Sequence, residues 1–217
     1  MNGAELKQTL KSGGRVFGTM ISIARNPKWI PILDTVGLDY VVIDTEHNYR
    51  SRGELGDFLI MMNTTGVVPI VRIPIPDPHY VTMAMDAGAQ GILAPYCETV
   101  EQVREVVAAA KWRPLKGEAA ERVILSGEHV SDATRSYLED RNKNSICIIG
   151  IESEAAVNNL AAMLEVPGID GIFVGPNDMS ISLGIPDQYD EKIYQDTVKK
   201  VIDLSEAKGI ATLVHQQ

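Results

Sequence analysis

Short runs of β-branched and other apolar residues alternate along the chain with longer stretches whose apolar positions recur every three to four residues. That alternation predicts βαβ units and a parallel sheet. The expected strands are Arg15–Ser22, Tyr40–Glu46, Val68–Ile73, Gly91–Pro95, Ser145–Ile151, Gly171–Val174 and Ile210–Val214. Most are nearly continuous apolar runs, which suits strands covered on both faces. The expected helices run over Asn26–Val36, Gly53–Thr64, Pro78–Ala87, Val100–Ala110, Glu154–Leu164 and Glu191–Lys208. Asp77-Pro78 caps and opens one of them, and Gly37, Gly66, Gly88 and Gly209 stand where helices stop and strands follow.

Seven such repeats, with no G-x-G-x-x-G turn and no P-loop, favour one (β/α)8 TIM-type barrel domain over residues 1–217 rather than an open nucleotide-binding sheet. The eighth β/α unit is not evident, because only His215-Gln216-Gln217 follows the last strand. An incomplete barrel, a closing element from a partner chain and residues outside this sequence each account for that. Arg113 to Asn144 breaks the pattern. It is charged and irregular, and reads as a long loop above the strand ends with some helix near Asp132–Leu138.

A formal charge of −9 argues against general binding to nucleic acid or to an anionic membrane surface, both of which reward clustered cations. The N-terminus lacks the apolar segment of a secretory signal, and no run of 18 apolar residues occurs, so a cytoplasmic protein is expected. Cys97 and Cys147 form no CxxC pair, lie in apolar runs and read as core.

In a barrel of this kind active sites lie at the carboxyl ends of the strands. The polar residues there are Asp44-Thr45-Glu46-His47, Arg72, Glu152 and Gly175-Pro176-Asn177-Asp178. Two carboxylates on neighbouring strand ends, Glu152 and Asp178, can share a hard divalent ion such as Mg²⁺ or Mn²⁺. Spacing alone favours loop solvation or helix capping, and position at adjacent strand ends raises the metal reading. Asp44 stands three residues before His47 and could orient it as a general base. Glu46 looks helix-facing, and Arg50 and Arg52 enrich the same loop in charge. Arg72 in an apolar strand requires an anion, either Asp44 or Glu46 in a structural pair or a substrate carboxylate or enolate. Gly175 to Ser180 predicts a turn into a short helix whose free N–H groups can take an anion. His79, His129 and His215 have no partners at ligand spacing and read as surface or loop, while Met61, Met62, Met83 and Met85 read as core filler.

Several blocks in order make the chain resemble the HpcH/HpaI class II pyruvate aldolases, of the phosphoenolpyruvate/pyruvate superfamily. They are Gly37-Leu38-Asp39-Tyr40 through His47, Pro69-Ile70-Val71-Arg72, Asp86-Ala87-Gly88-Ala89-Gln90-Gly91, Ile151-Glu152-Ser153, Val166-Pro167-Gly168-Ile169-Asp170-Gly171 and Gly175 through Ser180. The resemblance implies a lyase that cleaves or forms a hydroxy-2-oxo acid from pyruvate and an aldehyde. It implies a divalent cofactor, Mg²⁺, Mn²⁺ or Co²⁺, on Glu152 and Asp178. By the same resemblance Arg72 steadies the enolate oxygen, backbone N–H groups near Asn177 and Asp178 hold the carboxylate, and His47, oriented by Asp44, acts as acid/base at the aldol hydroxyl. It also implies a homo-oligomer. No lysine stands in a strand to serve as a Schiff base.

The chain departs from the resemblance at three places. Gly150 replaces a glutamine often found two residues before the metal glutamate, Lys116 to Arg122 replaces an Arg-Gly-rich loop, and the eighth unit is missing. Two other readings follow. One is a citryl- or malyl-thioester lyase of the same superfamily, which needs room and cationic groups for coenzyme A. The other is an inactive barrel serving in assembly or regulation.

Overall fold

The computed structural model describes residues 1–126 and 130–215. Its elements are helix α1 (Gly3–Lys11), strand β1 (Gly18–Ile21), a 3-10 segment (Pro27–Thr35), β2 (Tyr40–Asp44), α2 (Arg52–Met62), β3 (Val68–Arg72), α3 (Pro78–Asp86), β4 (Gly91–Ala94), α4 (Val100–Lys111), α5 (Gly117–Ser126), α6 (Asp132–Asn142), β5 (Ile146–Ile151), α7 (Glu154–Met163), β6 (Gly171–Val174), α8 (Pro176–Ser182), α9 (Lys192–Glu206) and β7 (Ala211–Val214). The seven strands form one parallel sheet in sequence order. All seven expected strands are present, β6 with the expected bounds and the other six trimmed by one to three residues at one or both ends.

Strand parity sorts the core into two layers. Val42, Val68, Ile70, Leu93, Ile146 and Ile148 form an inner cluster together with Leu6 from α1. Val41, Ile43, Val71, Ile92, Cys147 and Ile149 point the other way, into the helical layer. The sheet is curled, and β1 and β7 are not paired with each other among the described residues. A cleft of about 530 Å³ opens between them, walled by Phe17, Met20, Tyr40, Phe173 and Leu213. No helix among the described residues is long and apolar enough to cross a membrane.

Local chemistry explains the helix starts. Ser51 with Glu54 and Thr99 with Gln102 form capping boxes at α2 and α4, and Asp77 caps α3 ahead of Pro78. Pro69 fits a central strand because its carbonyl and its missing N–H both face β4. There it accepts from Gln90 N at 2.9 Å, one residue before the β3–β4 ladder begins.

The long loop expected from Arg113 to Asn144 is instead mostly helix. Ala120, Val123 and Ile124 bury one face of α5, which packs on α4. Ser131 caps α6, and buried Asn142 donates to the carbonyls of Leu138 and Arg113, both at 2.8 Å. Burial against α4 decides these helices, whereas their many charges mask the apolar period in the sequence. His129, read as a loop residue, lies outside the described residues, as do Gln216 and Gln217. His79 and His215 are exposed, and Cys97 and Cys147 are buried free thiols.

Candidate active site

The inward parity that sets the inner core continues to the carboxyl ends of the strands, where it aligns Asp44, Arg72, Gly150, Glu152 and Gly175 on one face. Asp44 is 1% exposed and Arg72 9%, and the two are register partners on β2 and β3. Arg72 Nε donates to Asp44 Oδ1 at 2.8 Å. Asn48 Nδ2 donates to Oδ2 at 2.5 Å and the Glu46 N–H to Oδ1 at 3.1 Å. Burial pushes the Asp44 carboxyl up, and the hydrogen bonds from Arg72 and Asn48 with the Arg72 charge more than offset it, leaving it below the usual range.

Asp44 was expected to orient His47, and here it does not. Its oxygens are taken by Arg72, Asn48 and the Glu46 N–H. His47 has its Nε2 3.5 Å from Glu46, with 63% of its side chain exposed. Glu46, expected to face a helix, instead sits 3.1 Å from Arg72 Nη1, although Oε2 is buried without an aligned hydrogen bond. Burial raises the Glu46 carboxyl; Arg72 and His47 oppose that, and Asp44 and Asp178 add to it. Glu46 is two residues from Asp44 and shares its parity, a signal that could have found it. Asn48 has no such signal, since only the loop path brings it back.

Glu152 is 2% exposed. Its carboxylate lies in a slot between two glycines. A Cβ placed on Gly150 would overlap Oε1, and one placed on Gly175 would stand 2.5 Å from Oε2. Among the described residues the hydrogen-bond donor to it is the Tyr96 N–H, 3.3 Å from Oε1. Burial pushes its pKa up to about 7; the Tyr96 N–H and Arg72 oppose the shift, and Glu46 and Asp178 reinforce it. A buried carboxylate with one long hydrogen bond and two carboxylate neighbours lacks positive charge. That donor set, hard oxygens in a dry slot, fits Mg²⁺, Mn²⁺ or Co²⁺. Among the described residues no three His, Cys, Asp or Glu side chains converge as a complete site.

Asp178 lies in the first turn of α8, whose N-cap Gly175 makes no side-chain bond. The Asn177 and Asp178 N–H groups have no acceptor among the described residues. Asn177 Oδ1 accepts from the Tyr189 hydroxyl at 2.7 Å. The structure thus groups Glu152, Asp178, Glu46 and Arg72 electrostatically, joins Asp44 to Arg72, and leaves His47 at the exposed edge.

The strain on Glu152 has a measurable consequence. A raised folded-state pKa means that ionising Glu152 costs stability, beginning near its ordinary pKa of 4.5 and complete above about pH 7. A rise of that size corresponds to about 3 kcal/mol. In EDTA at pH 8, Glu152→Gln is therefore expected to melt roughly 5–10 °C above the parent, with the gain vanishing toward pH 4. Equal melting curves at pH 8 would contradict the burial argument.

Inward charged groups at the carboxyl ends of a parallel, barrel-type sheet define an enzyme site, and relatives of known activity make this protein a carbon–carbon lyase. A family model described as HpcH/HpaI aldolase/citrate lyase matches residues 19–216, and the chain belongs to that family. It is 31% identical over 210 residues to a hydroxypyruvate/pyruvate aldolase of Roseobacter denitrificans, covering 95% of this chain and 81% of that protein. It is 32% identical over 210 residues to a 2-keto-3-deoxy-L-rhamnonate aldolase of Salmonella gallinarum, covering 94% and 76%. The crystal structure of an HpcH/HpaI aldolase from Desulfitobacterium hafniense DCB-2 superposes with a TM-score of 0.82 at 30% identity, covering 96% of this chain and 80% of that one.

Proposed function

We propose that this protein is a divalent-metal-dependent aldolase that cleaves or forms a hydroxy-2-oxo acid from pyruvate and an aldehyde. The observation that carries the reading is the Glu152 carboxylate, buried in a slot between Gly150 and Gly175 with too little positive charge around it and within electrostatic reach of Asp178 and Arg72. Members of the family depend on a divalent ion in general. Glu152 and Asp178 would hold such an ion, which would supply a Lewis acid to the oxo acid.

The chain's own groups do the rest. The Asn177 and Asp178 N–H groups receive the pyruvate carboxylate at the start of α8. Arg72, fixed through Nε by Asp44, offers its remaining N–H groups to the enolate oxygen. His47, paired with Glu46 rather than Asp44, moves the proton at the aldol hydroxyl from the exposed edge of the site. The cytoplasmic and homo-oligomeric parts of the reading rest on the sequence and on the family resemblance.

Pyruvate release from hydroxy-2-oxo acids, followed with and without EDTA beside proton exchange at the pyruvate methyl, tests the reading. Release should stop in EDTA and return with MnCl₂. His47→Ala should leave Mn²⁺ affinity unchanged and lower turnover by about 10²–10⁴. EDTA-insensitive release, or a dependence on a thioester substrate, would replace this reading with another.

A further inference from the structure

Tyr96, immediately beyond β4, has φ +50°, a left-handed backbone that costs a non-glycine residue on the order of 1 kcal/mol or more. The surrounding turn is anchored at three points, one on β5 and two on α7 and its N-cap. Cys97 N donates to Gly150 O at 3.0 Å, Ser153 Oγ donates to Glu98 Oε1 at 2.5 Å, and Asn159 Nδ2 donates to Glu98 O at 2.8 Å. Those anchors hold the Tyr96 N–H over Glu152 Oε1. The same oxygen occupies the space that a side chain at position 150 would fill; a Cβ there would also stand 3.1 Å from Pro95 Cα and 3.2 Å from Ala94 O. No slack remains for both a side chain at 150 and Glu152 in its present place.

We propose that Gly150 and Tyr96 are positioning residues for Glu152, the glycine by leaving the slot into which the carboxylate folds and the tyrosine by holding its left-handed N–H on Oε1. The inference rests on the reading of Glu152 as an ion ligand, and it goes further in saying what aims that ligand. Gly150 in place of a glutamine is then an exchange of one arrangement for another, because the carboxylate takes the volume a side chain would need.

The test uses the full chain and MnCl₂ alone as probe, with bound Mn²⁺ read by electron paramagnetic resonance and crystal structures solved of parent and variants. Gly150→Ala should weaken Mn²⁺ binding tenfold or more and shift the Glu152 carboxylate off the Tyr96 N–H. Tyr96→Val, whose β-branched side chain disfavours positive φ, should weaken binding several-fold, whereas Tyr96→Gly should match the parent because glycine keeps the turn. A merely structural role would not produce that order. Gly150→Ala that binds Mn²⁺ within twofold of the parent, or leaves Glu152 unmoved, overturns the proposal. Failure of the parent to bind Mn²⁺ strikes the metal reading instead, and the position of Glu152 in the variant structures still decides the positioning roles. If Gly150→Ala does not fold, the contrast between valine and glycine at position 96 decides them.

Discussion

Glu152→Ala and Asp178→Ala are each expected to remove Mn²⁺ binding and retro-aldol turnover together. Charge stabilisation by a bound ion amounts to several kcal/mol, and each 1.36 kcal/mol is tenfold in rate, so turnover falls on the order of a thousandfold or more. The two variants should differ in the metal-free protein. Glu152→Ala deletes a buried carboxylate whose ionisation is unfavourable, so in EDTA at pH 8 its loss of packing is offset and the protein stays folded. Asp178 lies at the start of α8, where its charge favours the helix end, so Asp178→Ala gives no such offset. Calorimetric titration with MnCl₂ beside a pyruvate-release assay measures both effects. Glu152→Ala with parental activity would remove the ion from this site.

Arg72→Lys is expected to fail in both stability and turnover even though it keeps the charge. The guanidinium reaches Asp44 through Nε at 2.8 Å and Glu46 through Nη1 at 3.1 Å. One ammonium cannot reproduce that fork and still face substrate. Removing a buried partner outright costs about 3–5 kcal/mol, so Arg72→Ala should melt about 10 °C lower, with Arg72→Lys between it and the parent. The cause lies in Asp44: among the described residues its other donors are Asn48 and one backbone N–H, too few for a carboxylate only 1% exposed. Asp44→Asn in the Arg72→Ala background should therefore recover part of the lost stability without recovering turnover. Parental melting and turnover in Arg72→Lys would show that the pair is dispensable.

The positions of the strands and of most helices were legible in the sequence because each is written in a local period. Apolar runs mark β2 to β6, and Asp77-Pro78 marks where α3 begins. The same period placed Asp44, Arg72 and Glu152 at strand ends, which is why they could be named, whereas Glu46, expected to face a helix, was missed. α5 was not legible and α6 only over Asp132–Leu138, since their apolar faces exist only in relation to α4.

What the chain determined by itself is therefore which residues lie at the carboxyl rim of a parallel sheet. The tertiary structure alone decided how they pair: Glu46 rather than Asp44 beside His47, the Tyr96 N–H on Glu152 from 56 positions away, and the empty volume at Gly150 filled by a carboxylate. Periodicity acts through neighbours along the backbone, whereas those contacts depend on strand register, turn conformation and close packing between segments that no short stretch of sequence contains.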